Sequence, residues 1–274
     1  MSGLARALRE AAQAFDAISD TPRLDAELLL AHALGIGRET LLLDPPFIDV
    51  PDSFAALVER RASGEPIAYI TGRRSFWTIE LQVAPGVLIP RPDSETLIAA
   101  AVEHFAGIDG PSRILDLGTG SGALLLAALD QWPGASGLGI DLSEIALRQA
   151  RGNAERLRLA ARAKFRLGDW AEGVAGRFDL VLCNPPYVAS EAELGPGVAA
   201  HEPHEALYAG ADGLADLARI APSIARLLAP GGLAAIEIGF DQGESAAALF
   251  ERQGYLPELA HDLAGRPRAL LIFG

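Results

Sequence analysis

The chain has 274 residues, half of them hydrophobic, with a mean hydropathy of +0.21, enough to bury one large core or a medium and a small one, and this excludes wholesale disorder. Lysine and arginine total 23 against 36 acidic residues, a net charge of −13, which repels a phosphate backbone and argues against nucleic acid as the main substrate. The single cysteine, Cys183, rules out an internal disulfide and a cysteine-rich metal site.

The N-terminal stretch MSGLARALREAAQAF is amphipathic rather than signal-like, and no apolar run reaches the ~18 residues of a membrane span. A cytoplasmic protein without membrane contact is expected. Leu4, Leu8, Ala11 and Phe15 recur at helical spacing, as do Leu24, Leu28, Leu29 and Ala33. Thr21-Pro22 reads as the start of the second helix and Gly35 as its stop. Pro51-Asp52-Ser53 opens another, running through Val58 to Arg61. These helices predict a small bundle over residues 1–72. FWTIELQVAPGVLIP then alternates around Ala84-Pro85-Gly86, which predicts a hairpin over 73–90 linking the bundle to a second domain, 91–274.

From Ser94 onward, strand, turn and helix repeat. RILDLG, GLGIDL, KFRLGD, FDLVLCN and GLAAIEIG read as buried strands, with helices such as 143–157 and 213–228 between them. GYLPELAHD and ALLIFG supply two closely spaced final strands. The pattern predicts an α/β fold, a Rossmann-like, seven-stranded, mostly parallel sheet with an antiparallel ending and helices on both faces.

In such a sheet, ligands bind beyond the carboxyl ends of the strands. The first strand ends in Asp116-Leu117-Gly118-Thr119-Gly120-Ser121-Gly122, whose glycines permit close backbone approach to a ligand. Asp141 ends the second strand, where a carboxylate can accept both hydroxyls of a ribose. Gly118-x-Gly120-x-x-Ala123 also satisfies the relaxed dinucleotide fingerprint, so nicotinamide and S-adenosylmethionine both remain open here. The third strand ends in Gly168-Asp169-Trp170. Asp169 suits an exocyclic amine and Trp170 the face of an adenine ring.

The fourth strand ends in Asn184-Pro185-Pro186-Tyr187. Neither proline has an N–H, so the ladder stops, and Pro185 holds Asn184 extended. The Asn184 carboxamide and the Pro185 carbonyl can then serve as two acceptors for one NH₂ group, with Tyr187 as a flat lid. This predicts a site for a planar amine or amide nitrogen. His201 and His204 lack a third nearby ligand, so no metal is expected. The run Arg148, Arg151, Arg156, Arg158, Arg162, Lys164, Arg166 reads as a solvated face.

LDLGTGSG, GDW and NPPY together resemble class I S-adenosylmethionine-dependent methyltransferases acting on planar nitrogen. GEPIAYITGRRSFW (64–77), VLIPRPDSE (87–95), EPHEALYAGADGL (202–214) and LLAPGGLAAIEIGFDQGE (227–244) narrow the resemblance to the release-factor glutamine methyltransferases. PRPDSE departs slightly from the commoner PRPETE and PRPDTE. The resemblance covers about residue 20 to the C-terminus. It implies methyl transfer to the side-chain amide nitrogen of the glutamine in the Gly-Gly-Gln motif of class I peptide chain release factors. It places Gly118 to Gly122, Asp141, Trp170 and Asn184 at the cofactor, Asn184 to Tyr187 on the glutamine, and S-adenosylhomocysteine as product. The N-terminal bundle becomes a docking domain for the release factor. Arg91, Asp93 and Glu95 either close over the cofactor or cap a helix, and Glu202 either meets the release factor or lies on a solvated loop. NPPY also fits an exocyclic base amine, so a nucleic-acid adenine N6 or guanine N2 methyltransferase is the main alternative. That chemistry needs a base-flipping, positively charged surface.

Overall fold

The computed structural model describes residues 3–43, 49–192, 194–195 and 197–274. The chain forms two compact units, Met1–Arg73 with Glu193–Glu202, and Arg74–Ala192 with Pro203–Gly274. Residues 193–202 therefore leave the second domain, in which the sequence boundaries had placed them. Gly197 explains how they join the first. At φ 85°, it lies so close to the Gly64 backbone that a side chain at 197 would strike the Gly64 carbonyl.

The first unit contains α1 (Gly3–Phe15), α2 (Pro22–Leu34), α3 (Arg38–Leu43), α4 (Ser53–Ala62) and α5 (Ile67–Thr71). α1 buries Leu4, Leu8, Ala11 and Phe15, as its spacing predicts. α2 starts on Pro22 after Thr21 and stops at Gly35 in the left-handed region. Its buried face differs from the expected one. Leu24 is exposed, whereas Asp25 and Glu27 are buried beside Leu29 and Leu30. Ion pairing is the reason. Asp25 accepts from Arg61 Nε of α4 at 2.8 Å, and Glu27 is held by Arg23 at 2.7 Å and Arg38 at 2.8 Å.

A hairpin follows, β1 (Arg73–Phe76) and β2 (Ile79–Gln82), which from Arg74 onward belongs to the second unit. Its turn is at Trp77-Thr78 and not at Ala84-Pro85-Gly86. Trp77 sits at φ 52°, a conformation a large residue holds only when its surroundings enforce it. Here Glu95 Oε1 accepts the Trp77 N–H at 2.9 Å, the indole N–H donates to Gln131 at 3.3 Å, and Thr78 donates to Asp130 at 2.7 Å.

The main sheet has the order β5 (Ala163–Leu167), β4 (Ser136–Asp141), β3 (Arg113–Leu117), β6 (Phe178–Cys183), β7 (Leu228–Glu237), β9 (Pro267–Phe273), β8 (Glu258–His261). The first five run parallel to one another, and β9 is antiparallel to both β7 and β8. Side chains alternate between two cores. Ile114, Leu180 and Leu182 face one that includes α6 (Glu95–His104), α7 (Ala123–Gln131) and part of α8 (Glu144–Arg156). Leu115, Val181 and Ile236 face the other, with α10 (Ala215–Leu227) and α11 (Gly243–Glu251). The short α9 (Val198–His201) belongs to the first unit's second segment. Much of the basic run has structural work. Arg162 donates to the carbonyls of Leu129, Trp132 and Ala135 at the end of α7, and Arg166 donates to those of Glu172 and Gly173.

The Asp25–Arg61 pair tests the account of α2. Breaking a buried pair leaves an uncompensated charge, at a cost of roughly 3–5 kcal/mol. Arg61→Ala is expected to lower unfolding stability by about the smaller of those figures, measured by urea denaturation, while Arg6→Ala on the exposed face of α1 changes it little.

Candidate active site

A cavity of about 620 Å³ opens at the carboxyl edge of the parallel strands, within the usual size of a small-molecule site. Gly118, Thr119, Gly120, Ser121, Asp141, Asp169, Trp170, Asn184 and Pro186 line it. The turns after β3, β4, β5 and β6 thus bring most of the singled-out residues to one place. Gly122, Pro185 and Tyr187 are not on its wall. Gly122 starts α7 at φ 86° and packs against Leu126 and Ala150.

The glycine turn is tightly constrained. The Gly118 and Thr119 N–H groups both donate to the Ile140 carbonyl at 2.9 Å. Gly118 has φ 73°, and a Cβ there would come within 3.0 Å of the Trp170 ring. Thr119 donates to Asp116 Oδ2 at 2.6 Å. The other oxygen of that buried carboxyl makes no well-formed hydrogen bond with a described residue. Burial pushes the Asp116 pKa up to about 7, against the opposing Thr119 hydrogen bond. Asp141 accepts Gly120 N–H on Oδ2 at 2.7 Å and Ser143 N–H on Oδ1 at 2.8 Å. Burial raises its pKa as well, while these backbone donors oppose the rise.

This arrangement fits S-adenosylmethionine. Each Asp141 oxygen keeps a further acceptor site, which matches a ribose diol. The exposed apolar side chains of Leu142 and Ile145 stand on the same wall and match a flat apolar ring. Asp169 accepts from Arg219 at 2.6 Å, and the Trp170 indole N–H donates to Asp216 at 3.0 Å. Trp170 is held at φ 44° against Gly118. Asp216 and Arg219, also on the wall, come from α10, about 50 residues downstream, and no local motif marks them.

At the turn after β6, Asn184 Nδ2 donates to Ser94 Oγ at 3.0 Å, which leaves Oδ1 available. Ser94 is buried and lines the cavity. In the sequence its position reads only as the start of a helix. The Tyr187 carbonyl accepts from Gln242 Nε2 at 3.0 Å, and the Tyr187 hydroxyl faces Glu237 at the end of β7. Burial pushes that phenol well up. Glu237 is completely buried. Its carboxyl is pushed up to about 7 by burial, partly offset by the Ser94 hydroxyl, Arg268 and the Tyr187 hydroxyl. Asp93 pairs with Arg268 at 3.1 Å, and Glu95 holds the hairpin turn. Glu202 is buried and not a solvated loop residue.

Among the described residues, no three His, Cys, Asp or Glu side chains gather as metal ligands. His201 ends α9 in the first unit, and His204 follows Pro203 in the second. Among the same residues, no helix is long and apolar enough to cross a membrane.

The sheet order, the glycine turn and the acidic strand ends define a class I S-adenosylmethionine-dependent methyltransferase. A PrmC N-terminal domain matches residues 6–72 and a methyltransferase domain matches residues 108–255. A release factor glutamine methyltransferase of Rhodospirillum rubrum is 45% identical over 92% of this chain and 79% of its own length. One from Caulobacter vibrioides is 46% identical over 87% of this chain and 84% of its own. The fold also resembles the ribosomal protein L11 methylase of Lactobacillus delbrueckii subsp. bulgaricus, with TM-score 0.51, 22% identity, 70% of this chain and 83% of that one. The chain belongs to the release factor glutamine methyltransferase family.

Two outcomes follow. Gly118→Ala forces a left-handed residue with a Cβ against Trp170, so S-adenosylmethionine affinity should fall at least ~10-fold in calorimetric titration while the protein stays folded. The second concerns pH. Asp116 and Glu237 rise from ordinary values of 3.8 and 4.5 to about 7 on folding. The folded state therefore holds more protons than the unfolded one within that window, and stability falls as pH rises through it. The depressed Glu27 and Glu65 act in the opposite sense, at and below their ordinary value of 4.5. Urea denaturation should show lower stability at pH 8 than at pH 5.5, and Asp116→Asn should reduce that difference.

Proposed function

We propose that this chain transfers the methyl group of S-adenosylmethionine to the side-chain amide nitrogen (N5) of a glutamine in peptide chain release factors, in their Gly-Gly-Gln motif. The observation that carries the site assignment is the anchored Asn184 carboxamide. One N–H of its NH₂ is donated to Ser94 Oγ, and its acceptor oxygen serves the incoming NH₂ group. S-adenosylmethionine supplies an electrophilic methyl group on a positively charged sulfur and leaves as S-adenosylhomocysteine, and the nitrogen that gains the methyl group gives up one proton to water.

An amide nitrogen is a poor nucleophile, because its lone pair is delocalised into the carbonyl. Asn184 Oδ1 and the Pro185 carbonyl each accept one N–H of the glutamine and so fix the nitrogen's direction. These bonds strengthen as positive charge grows on nitrogen and stabilise the transition state more than the ground state. Gly118 to Ser121 and Asp141 hold the cofactor, with Asp169 and Trp170 at its adenine end. Residues 1–72 serve as a docking surface for the release-factor body, and a translation-factor substrate implies a cytoplasmic setting.

The test is methyl transfer from radiolabelled S-adenosylmethionine to a recombinant release factor, with a Gln→Ala substitution in its Gly-Gly-Gln motif as control. Label should appear on the wild-type factor only. Label on DNA or RNA instead overturns the reading. Asn184→Ala should lower kcat by more than ~10-fold with cofactor binding intact. A smaller loss removes Asn184 from the role given to it.

A further inference from the structure

A carboxamide is nearly symmetric in shape. A half-turn about its last torsion exchanges acceptor for donor at little steric cost. Asn184 can accept from a substrate NH₂ in only one of these two orientations, and the turned form would present its own NH₂ to the NH₂ of the substrate. The Asn184–Pro185 geometry does not choose between them, because proline restricts the backbone and not this torsion.

Ser94 makes the choice. A hydroxyl has one proton to donate and can also accept. With Asn184 Nδ2 donating to Ser94 Oγ at 3.0 Å, the Ser94 proton must go to another acceptor. Glu237 faces it. This carboxyl ends β7, is 0% exposed, and neither oxygen makes a well-formed hydrogen bond with a described residue. The Ser94 and Tyr187 hydroxyls are the nearby donors that stabilise its charge, together with Arg268.

Arg268 is a counter-ion shared with other carboxylates, since its Nη2 lies 3.1 Å from Asp93 and 3.2 Å from Asp262, and its buried Nε makes no hydrogen bond with Glu237 or any other described residue. A carboxyl buried at such cost calls for a specific partner. Both hydroxyls that act on it belong to the Asn184 site, Ser94 as the partner of Asn184 and Tyr187 as the last residue of the turn.

We propose that Glu237 is a positioning residue, which accepts the Ser94 hydroxyl proton and thereby locks Asn184 with its oxygen toward the substrate nitrogen. The chain of donors runs in one direction, from substrate NH₂ to Asn184 Oδ1, from Asn184 Nδ2 to Ser94, and from the Ser94 hydroxyl to Glu237. The inference rests on the glutamine-methylation reading and extends it to groups outside the NPPY turn. Glutamine in place of Glu237 keeps the volume but offers an NH₂. That group can donate to Ser94, send the Ser94 proton to Asn184 and reverse the chain.

The experiment compares wild type, Ser94→Ala, Ser94→Thr, Glu237→Gln and the double variant Ser94→Ala/Glu237→Gln, by steady-state methylation of a recombinant release factor. Misplacing a reacting group by ~1 Å costs on the order of 100-fold. Partial loss of one orientation should lower kcat by about 10-fold in Ser94→Ala and in Glu237→Gln, with KM for S-adenosylmethionine unchanged. The double variant should lose no more than the worse single one, because Glu237 acts through Ser94. Ser94→Thr keeps the hydroxyl and should recover most of the rate. Multiplying losses in the double variant, full activity of Ser94→Ala, or a Ser94→Thr enzyme as slow as Ser94→Ala each overturn the proposal while the functional reading stands. A wild-type enzyme unable to methylate the release factor overturns both. Should Glu237→Gln fail to fold, the two Ser94 variants decide alone.

Discussion

Parallel strands joined by helical crossovers all end on the same edge of their sheet, and this constraint organises everything else in the second unit. Four turns that are distant in sequence, after β3, β4, β5 and β6, meet around one cavity because their strands are neighbours in the order β5-β4-β3-β6. Each turn brings something different. The first brings close backbone approach, the second and third bring carboxylates, and the fourth brings a carboxamide. No crossover loop has to travel to assemble them.

That edge carries a heavy polar load, and its packing shows how the load is borne. Asp116 and Glu237 are buried carboxyls whose ordinary titration is shifted up toward neutrality. Both lie directly behind residues that face the cavity, one behind the glycine turn and the other behind the NPPY turn. Buried polar groups of this kind hold their neighbours in one arrangement more firmly than apolar contacts would, because each mispaired donor or acceptor is costly away from water. In the first unit, Asp25 and Glu27 are met by arginines from three places in the chain, and there the result is helix packing and not a site.

The legibility of the site follows from the range of its interactions. Gly118 to Gly122 and Asn184 to Tyr187 are readable because backbone sterics act within a few residues. A glycine permits φ 73°, and a proline removes an N–H, whatever lies around them. Ser94, Asp216, Arg219 and Glu237 carry no local sign of their place at the site. Ser94 meets Asn184 across 90 residues and Arg219 meets Asp169 across 50, and the stretches that hold Ser94 and Glu237 read locally only as a helix start and a strand. The hairpin turn departs from its expected place for the same reason. Ala84-Pro85-Gly86 has the better local turn chemistry, but Glu95, Gln131 and Asp130 together hold Trp77 and Thr78 in the turn.

The amino-acid sequence by itself determined the class of fold, the run of strands and helices, the glycine turn and the NPPY device, since all of these depend on periodicity and local backbone chemistry. The tertiary structure alone decided which face of α2 is buried, which compact unit holds residues 193–202, and which way the Asn184 carboxamide points. Those outcomes are set by pairings between distant side chains, and a pairing has no energy until the fold brings its two members together.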